Sequence, residues 1–379
     1  MGSSILAVNG GSSSLKCTLF EVVAGCLEQR SSFNMTQVSG ERDGHVGCLH
    51  DVLEQVREKD GLAHLAAVGH RIVHGGDLFQ APVWIDAAVL ADLHTLVALA
   101  PLHQPVNLDL IEACMQEFPD IPQLACFDTA FHQHMPKVAR NYALPQSLTD
   151  AGVHAYGFHG LSYEFVWGRL RALDQAATSK RVVIAHLGAG ASLCAIRAGQ
   201  SIATTMGFST VDGMPMATRS GSVDPGVLIH LLREHGLTPD QLEDLLYKKS
   251  GLQGISGFSG EMRELSASDD PRAKAAIDYF VYRSSREIAS LAGALGGLDT
   301  LVFTGGIGAN SATIRQDICT ACEWLGIDID DEANRNSEET INTPRAAVDV
   351  RIIPTDEEAQ IAEHVLHFLA LAEQSRGPA

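Results

Sequence analysis

Residues 5–19 read Ile-Leu-Ala-Val-Asn-Gly-Gly-Ser-Ser-Ser-Leu-Lys-Cys-Thr-Leu, and residues 182–196 read Val-Val-Ile-Ala-His-Leu-Gly-Ala-Gly-Ala-Ser-Leu-Cys-Ala-Ile. Each is a short apolar run, a turn of glycine and small residues, and a second apolar run. That is the signature of strand, glycine turn, strand. The two stretches look like copies of one device, which suggests an internal duplication with one copy per domain. A third glycine turn, Gly305-Gly306-Ile307-Gly308, follows the apolar run Leu301-Val302-Phe303-Thr304. Between these turns, apolar residues recur at helical spacing over 87–99, 227–246, 273–295 and 357–373. Thr238 and Pro239 read as the cap and first turn of a helix. Strands alternating with helices give an α/β class.

The chain has 379 residues, room for two to three domains at about 150 residues each. Hydrophobic residues are 45% and charged residues 19%, which excludes a disordered chain or a coiled coil. Lys and Arg number 27 against 46 Asp and Glu, a net charge of −19. That balance argues against a nucleic acid or an anionic membrane as partner, while a few placed cations still let one cleft hold a small anion. No apolar stretch reaches the roughly 18 residues that span a bilayer. The first residues lack the basic stretch and apolar core of a secretory signal. Eight scattered Cys, several inside apolar runs, read as reduced core thiols of a cytoplasmic protein. Cys319 and Cys322 form the only C-x-x-C, with no second pair nearby to complete a zinc site.

Neither G-x-x-x-x-G-K-[ST] nor a helix-leading G-x-G-x-x-G occurs, so an ordinary P-loop or dinucleotide-binding unit is excluded. A Gly-Ser hairpin still aims backbone N–H groups and hydroxyls at one point, and glycine lets a phosphate approach closely. Lys16 adds a positive charge there, and Asn9 offers a group to a phosphate oxygen or a metal-bound water. For residues 10–14 alone, a plain polar-tipped hairpin competes with that reading. Arg71, in a short apolar run ended by Gly75 and Gly76, has the fork to grip a carboxylate. A surface salt bridge is the plainer account of a lone Arg. Arg219 centres a second turn-rich segment, and His159 stands between Phe158 and Gly160. Asp128 follows a short apolar strand, where carboxylates often meet Mg²⁺. The acidic helix start Asp356-Glu357-Glu358 is explained equally by dipole capping.

Together these segments carry a resemblance. They are Asn9-x-Gly11-Ser12-Ser13-Ser14-x-Lys16, Gly69-His70-Arg71-x-Val73-His74-Gly75-Gly76, Pro101-Leu102-His103-x-Pro105-x-Asn107-Leu108, Phe127-Asp128-Thr129-Ala130-Phe131-His132, Tyr156-Gly157-Phe158-His159-Gly160, Thr218-Arg219-Ser220-Gly221 and Thr304-Gly305-Gly306-Ile307-Gly308. The chain resembles the acetokinase family, of the actin, hexokinase and heat-shock ATPase superfamily, nearly end to end from Asn9 to Glu358.

The resemblance implies an α/β fold of two ribonuclease-H-like (actin-like ATPase) domains flanking an interdomain cleft. The first would span 1–132 plus 361–379, and the second, nucleotide-binding domain 133–360. It implies Mg²⁺-dependent transfer of the ATP γ-phosphoryl group to acetate, reversible and directly in line, giving acetyl phosphate and ADP. Mn²⁺ is the alternative ion. The implied protein is a cytoplasmic homodimer whose partners are small molecules, with no nucleic acid and no membrane among them. By resemblance, Arg71, Asp128, His159 and Arg219 are catalytic. The two arginines flank the carboxylate and the phosphoryl group, His159 donates to the latter, and Asp128 acts near substrate or metal. Asn9 and Glu357 would hold the metal. Val73, Leu102 and Phe158 would join Arg71 around the acceptor. Ser12, Ser14, Lys16, His186, Gly188, Ala189, Gly190, Ala191, Ser192, Glu261, Met262, Arg263, Gly306, Ile307, Gly308, Ala309 and Asn310 would line the nucleotide.

This assignment agrees with the chemistry. A carboxylate is already a nucleophile, so catalysis reduces to positioning and to cancelling charge on a planar, metaphosphate-like group. Three departures fall on the nucleotide side: Ala189 where the family usually has Asn, Ala309 where it has Glu, and Glu261 where it has Asp. They predict that the chain uses ATP but holds it more weakly, with pyrophosphate as the competing donor. Propionate is the competing acceptor, since one methylene separates it from acetate. A non-catalytic, nucleotide-responsive protein of the same superfamily is the reading from another class. Retention of Arg71, Asp128, His159, Arg219 and Glu357 favours the enzyme.

Overall fold

The computed structural model describes residues 3–11, 14–36, 42–59, 61–62 and 64–375. The chain divides into two units. The first comprises Met1–Gln133, Gly160–Phe165 and Asp356–Ala379, and the second comprises His134–His159 and Val166–Thr355. This partition differs from the expected domain limits by one residue at Gln133 and by two longer stretches. Residues 160–165 group with the first unit because the Gly160 N–H donates to the Asp128 carbonyl at 2.9 Å. The contact is so close that a Cβ on Gly160 would lie 2.1 Å from that oxygen. Residues 356–360 join the first unit because Glu357–Ser375 is one continuous helix.

The first unit holds a six-stranded sheet of β1 (Ser4–Gly10), β2 (Ser14–Val23), β3 (Cys26–Thr36), β4 (Leu65–Ile72), β5 (Val83–Trp84) and β6 (Gln123–Phe127), in the order β3-β2-β1-β4-β6-β5. The first three strands form an antiparallel meander, and β4 and β6 continue it in parallel with β1. Alternation along β1 explains why it reads as an unbroken apolar run: both faces are covered. Leu6 and Val8 meet Leu49, Val52 and Leu53 of the helix Arg42–Lys59 and Leu110 of the helix Gln104–Glu117. Ile5 and Ala7 meet Ile361, Ala362 and Val365 of the helix Glu357–Ser375 on the other side. Full burial of one such aliphatic side chain contributes about 1.5–3 kcal/mol. That C-terminal helix lies hard against β4, since a Cβ on Gly69 would come within 2.4 Å of Ile361 Cγ2. Its acidic first turn is thereby fixed over the ends of the central strands.

The second unit repeats the plan. Its sheet comprises β7 (Arg181–Leu187), β8 (Ala191–Arg197), β9 (Gln200–Thr204), β10 (Thr300–Thr304) and β11 (Asp349–Ile352), in the order β11-β10-β7-β8-β9. Again an antiparallel meander is extended by parallel strands. The α/β class is therefore present twice, with one strand order, as the paired glycine hairpins suggested.

Three local readings are refined. The glycine turn at Gly305 leads from β10 directly into the helix Gly305–Asn310, unlike the strand-to-strand turns of the other two. The Gly305 φ of 76° is one that glycine alone adopts easily, and a Cβ there would meet the Leu187 carbonyl at 2.6 Å. The helical stretch 227–246 is two helices, Pro225–Glu234 and Pro239–Lys248. They are separated at Gly236, and the second is started by a capping box of Thr238 and Gln241. The stretch 87–99 is the helix Ala87–Thr95 followed by a tighter 3₁₀ turn, Leu96–Leu99. Among the described residues, no helix is long and apolar enough to cross a membrane.

His70 on β4 is buried, with Nε2 2.7 Å from Gln123 Oε1 on β6. Burial pulls its pKa from 6.5 down to about 4, against the opposing Gln123 bond. The folded state therefore keeps His70 neutral, while the unfolded chain takes up a proton near 6.5. This stability is present above pH 6.5 and is lost as pH falls towards 4. It amounts to about 3 kcal/mol. Thermal melts from pH 7 to pH 4 should show a shallower decline for His70→Gln than for the wild type. Identical slopes would mean that His70 does not contribute to the acid sensitivity.

Candidate active site

The segments expected to carry the chemistry lie at or just beyond the carboxyl ends of central strands, where open α/β sheets bind ligands. In the first unit, β1 ends at Asn9 and Gly10, β4 carries Arg71, and β6 delivers Asp128 one residue beyond its end. Arg71 Nε lies 3.2 and 3.1 Å from the two Asp128 oxygens, and Nη2 reaches Oδ2 at 2.7 Å. Nη1 donates to the Gly10 carbonyl and to Asn9 Oδ1, each at 3.3 Å. The Asp128 side chain is 1% exposed and that of Arg71 14%. Burial acts to lower the Arg71 pKa, but Asp128, Glu357 and Glu358 outweigh it, raise the pKa and hold the guanidinium charged.

Asn9 gathers an acidic pair. Its Nδ2 donates to Glu357 Oε2 at 3.0 Å and to Glu358 Oε1 at 2.7 Å. Glu358 is 8% exposed. Burial raises its pKa, Lys16 opposes the rise, and Glu357 adds to it. Helix capping falls instead to Asp356, whose Oδ1 accepts from the Ala359 N–H at 2.9 Å. The two glutamates stand in the first turn and turn their carboxylates to Asn9. Their hard oxygen donors fit Mg²⁺, which binds through one or two carboxylates together with substrate phosphates. Among the described residues, no three His, Cys, Asp or Glu converge into a self-sufficient metal cage.

Val73 is 1% exposed, and its N–H donates to Asn107 Oδ1 at 3.0 Å. Leu102 is half-buried, Ser14 is half-buried and Lys16 is exposed. Ser12 lies outside the described residues. Phe158 is buried and belongs to the second unit.

In the second unit, His159 has φ 57° and ψ 26°, a left-handed backbone uncommon outside glycine but one that His adopts more readily than most side chains. Its ring stacks on His186 with centroids 4.4 Å apart and planes 16° from parallel. Its Nδ1 lies 2.8 Å from Ser192 Oγ. His186 and Ser192 are directly opposed across β7 and β8, so both present to one face and seat the ring together. A Cβ on Gly190 would lie 3.3 Å from His159 Nε2, so glycine keeps the approach to that nitrogen open. Arg219 donates from Nη1 to the Thr210 carbonyl at 2.9 Å. Its own backbone is pinned, with its carbonyl accepting from Met216 N at 3.0 Å.

A pocket of about 480 Å³ in this unit is lined by eight of the residues expected at the nucleotide: Gly188, Ala189, Glu261, Met262, Arg263, Gly306, Ile307 and Asn310. Gly260, Ser266 and Ser311 also line it. His186, Gly190, Ala191, Ser192, Gly308 and Ala309 do not. Ala191 and Ser192 are buried in β8, and Ser192 serves His159. The Gly308 and Ala309 carbonyls accept from Arg315 Nη1 at 3.0 and 2.9 Å. That fully buried arginine fixes the helix Gly305–Asn310. Sequence reasoning missed Arg315 because nothing in a helical run marks one arginine as buried. It paired Asn9 with Glu357 alone, and the structure brings both Glu357 and Glu358 to Asn9.

The sequence profile described as the Acetokinase family matches residues 4–363. A protein named acetate kinase from Rhodopseudomonas palustris is 46% identical over 390 aligned positions, covering 96% of this chain and 98% of that one. Among solved structures, Porphyromonas gingivalis acetate kinase superposes with a TM-score of 0.85 at 36% identity, covering 97% of this chain and 100% of that one. A propionate kinase from Francisella tularensis gives the same TM-score of 0.85 and the same 36% identity, over 96% of this chain and 98% of that one.

Removing the carboxylate that faces Arg71 should be costly, because it strands a largely buried cation. Asp128→Asn should lower stability by about 3 kcal/mol, read from guanidinium chloride unfolding. An unchanged midpoint would mean that Glu357 and Glu358 alone neutralise Arg71.

Proposed function

The chain belongs to the acetokinase family, and we propose that it transfers the γ-phosphoryl group of ATP reversibly to acetate, giving acetyl phosphate and ADP. It is a phosphotransferase with a carboxyl group as acceptor. The observation that carries the mechanism is Arg71: a charged, largely buried guanidinium at the ends of the central strands, held by Asp128 and flanked by two glutamates.

The acceptor carboxylate pairs with Arg71, whose orientation Asp128 fixes. Val73 and Leu102 pack against its methyl group. Glu357 and Glu358, drawn together by Asn9, would hold Mg²⁺ arriving with the nucleotide, and the ion would neutralise charge on the phosphate oxygens. The nucleotide occupies the pocket bounded by Gly188, Met262, Arg263 and Ile307. His159, oriented through Nδ1 by Ser192, donates from Nε2 to the transferring group, and Arg219 cancels further charge on it. The carboxylate attacks phosphorus in line, the bond to the ADP oxygen breaks, and no proton has to be removed first. Ala189 brings no side-chain hydrogen bond to the pocket, so the hold on ATP is weaker than an Asn would give.

Propionate is a second acceptor. The equal likeness to a propionate kinase structure supports this, and an apolar pocket separates two acids differing by one methylene only about 10–200-fold. We also propose a homodimer formed through the second unit. The helix Pro225–Glu234 buries none of its side chains, and Val227, Ile229 and Leu232 are exposed on it. Such apolar surface marks a contact site.

Turnover with acetate or propionate against ATP, GTP and pyrophosphate tests the activity. ADP should form only when a short carboxylate is present. Brisk pyrophosphate-dependent turnover with none from ATP would reject the donor assignment. Arg219→Ala should lower kcat about 10²–10³-fold, as loss of a transition-state donor does, and near-normal activity would refute its role. Sedimentation velocity should give the wild type twice the chain mass and move Ile229→Asp towards the monomer. A monomeric wild type would end the dimer proposal.

A further inference from the structure

The helix Gln104–Glu117 carries two buried carboxamides three residues apart, and therefore on one face. A buried carboxamide is tolerated only when its donor and acceptor are both satisfied. Both of these are, and both bind backbone rather than side chains. Gln104 Oε1 accepts from the His74 N–H at 3.3 Å, and its Nε2 donates to the His74 carbonyl at 3.1 Å. Asn107 does something different, because its two bonds go to two separate segments. Its Oδ1 accepts from the Val73 N–H at 3.0 Å, and its Nδ2 donates to the Gly10 carbonyl at 3.2 Å.

Gly10 opens the first glycine hairpin and Val73 follows β4. Asn107 is thus a strut between the turn at the end of β1 and the loop after Arg71. Arg71 joins the same node, since its Nη1 also donates to the Gly10 carbonyl. The turn seats directly on the helix, because a Cβ on Gly10 would come within 2.5 Å of Leu110 Cδ1. The next carbonyl, that of Gly11, accepts from His45 Nε2 at 3.0 Å. An aliphatic residue at 107 would hold the helix to the sheet equally well by packing. The carboxamide adds a defined separation between Gly10, Arg71 and Val73.

We propose that Asn107 is a positioning residue of the acceptor site, setting the spacing between Arg71 and Val73 through the Gly10 carbonyl. This rests on the reading that Arg71 and Val73 hold the short carboxylate. Asn107→Asp keeps the acceptor for Val73 N–H but places an oxygen against the Gly10 carbonyl. Asn107→Ala removes both bonds. Each variant is compared with the wild type for KM of acetate, KM of ATP, the acetate-to-propionate ratio of kcat/KM, and thermal stability.

Both variants should raise KM for acetate about ten- to a hundredfold, the effect of a small misplacement at a reacting site. KM for ATP should stay near its wild-type value, and the acetate-to-propionate ratio should move towards one. A purely structural role predicts a lower melting temperature with both KM values and the ratio unchanged, and that result overturns the proposal. Loss of the fold in both variants also overturns it, assigning Asn107 to the core. A wild type that turns over neither acetate nor propionate with ATP instead sinks the reading of the function on which the proposal stands.

Discussion

The first unit is organised around a positive charge taken out of water. Desolvating a guanidinium is expensive, and the expense is met only by good geometry and close counter-charge. Three adjacent strands provide both. β1 brings Asn9 and the Gly10 carbonyl, β4 brings Arg71, and β6 hands over to Asp128. The C-terminal helix, crossing the whole chain length to reach the same sheet, adds Glu357 and Glu358. In a chain of net charge −19, this cation is matched by one carboxylate in direct contact and two more close by.

Much of the surrounding architecture serves to keep those groups in register. Gly69 exists as glycine because the C-terminal helix lies too close to β4 for a side chain. Gly160 does so because the Asp128 carbonyl occupies the place of its Cβ. The second unit solves a related problem differently. Its hairpin residues His186 and Ser192 seat the imidazole of His159, and a buried Arg315 holds the helix that lines the pocket at Gly306 and Ile307 by its last carbonyls. One strand order, used twice, carries two unlike chemistries, because the residues beyond the strand ends differ while the strands do not.

Local pattern was sufficient for β1, β2, β7, β8 and β10, for the repeat of strand, glycine turn and strand, and for the helices within 87–99, 227–246, 273–295 and 357–373, because period and turn chemistry are short-range. It marked as candidates Arg71 in an apolar run ended by two glycines, Arg219 in a turn-rich segment, His159 before a glycine and Asp128 after an apolar strand. It failed where two chemistries look alike in one dimension. Gly305-Gly306 reads as a glycine turn like the other two, yet it leads into a helix where they lead into a strand. Asp356, Glu357 and Glu358 read alike, yet one caps the helix and the other two reach Asn9.

From residue order alone came the α/β class, the doubled design and the identity of the charged groups, since these depend on periodicity and on side-chain chemistry near in sequence. Only the folded chain determined which groups share a site. Asn9 meets Glu358 across 349 residues and Arg71 meets Asp128 across 57. Such separations are closed by strand pairing and helix packing, so no window of sequence contains them. The same holds for Asn107, an ordinary polar residue in a helix until its two hydrogen bonds are seen to join Gly10 to Val73.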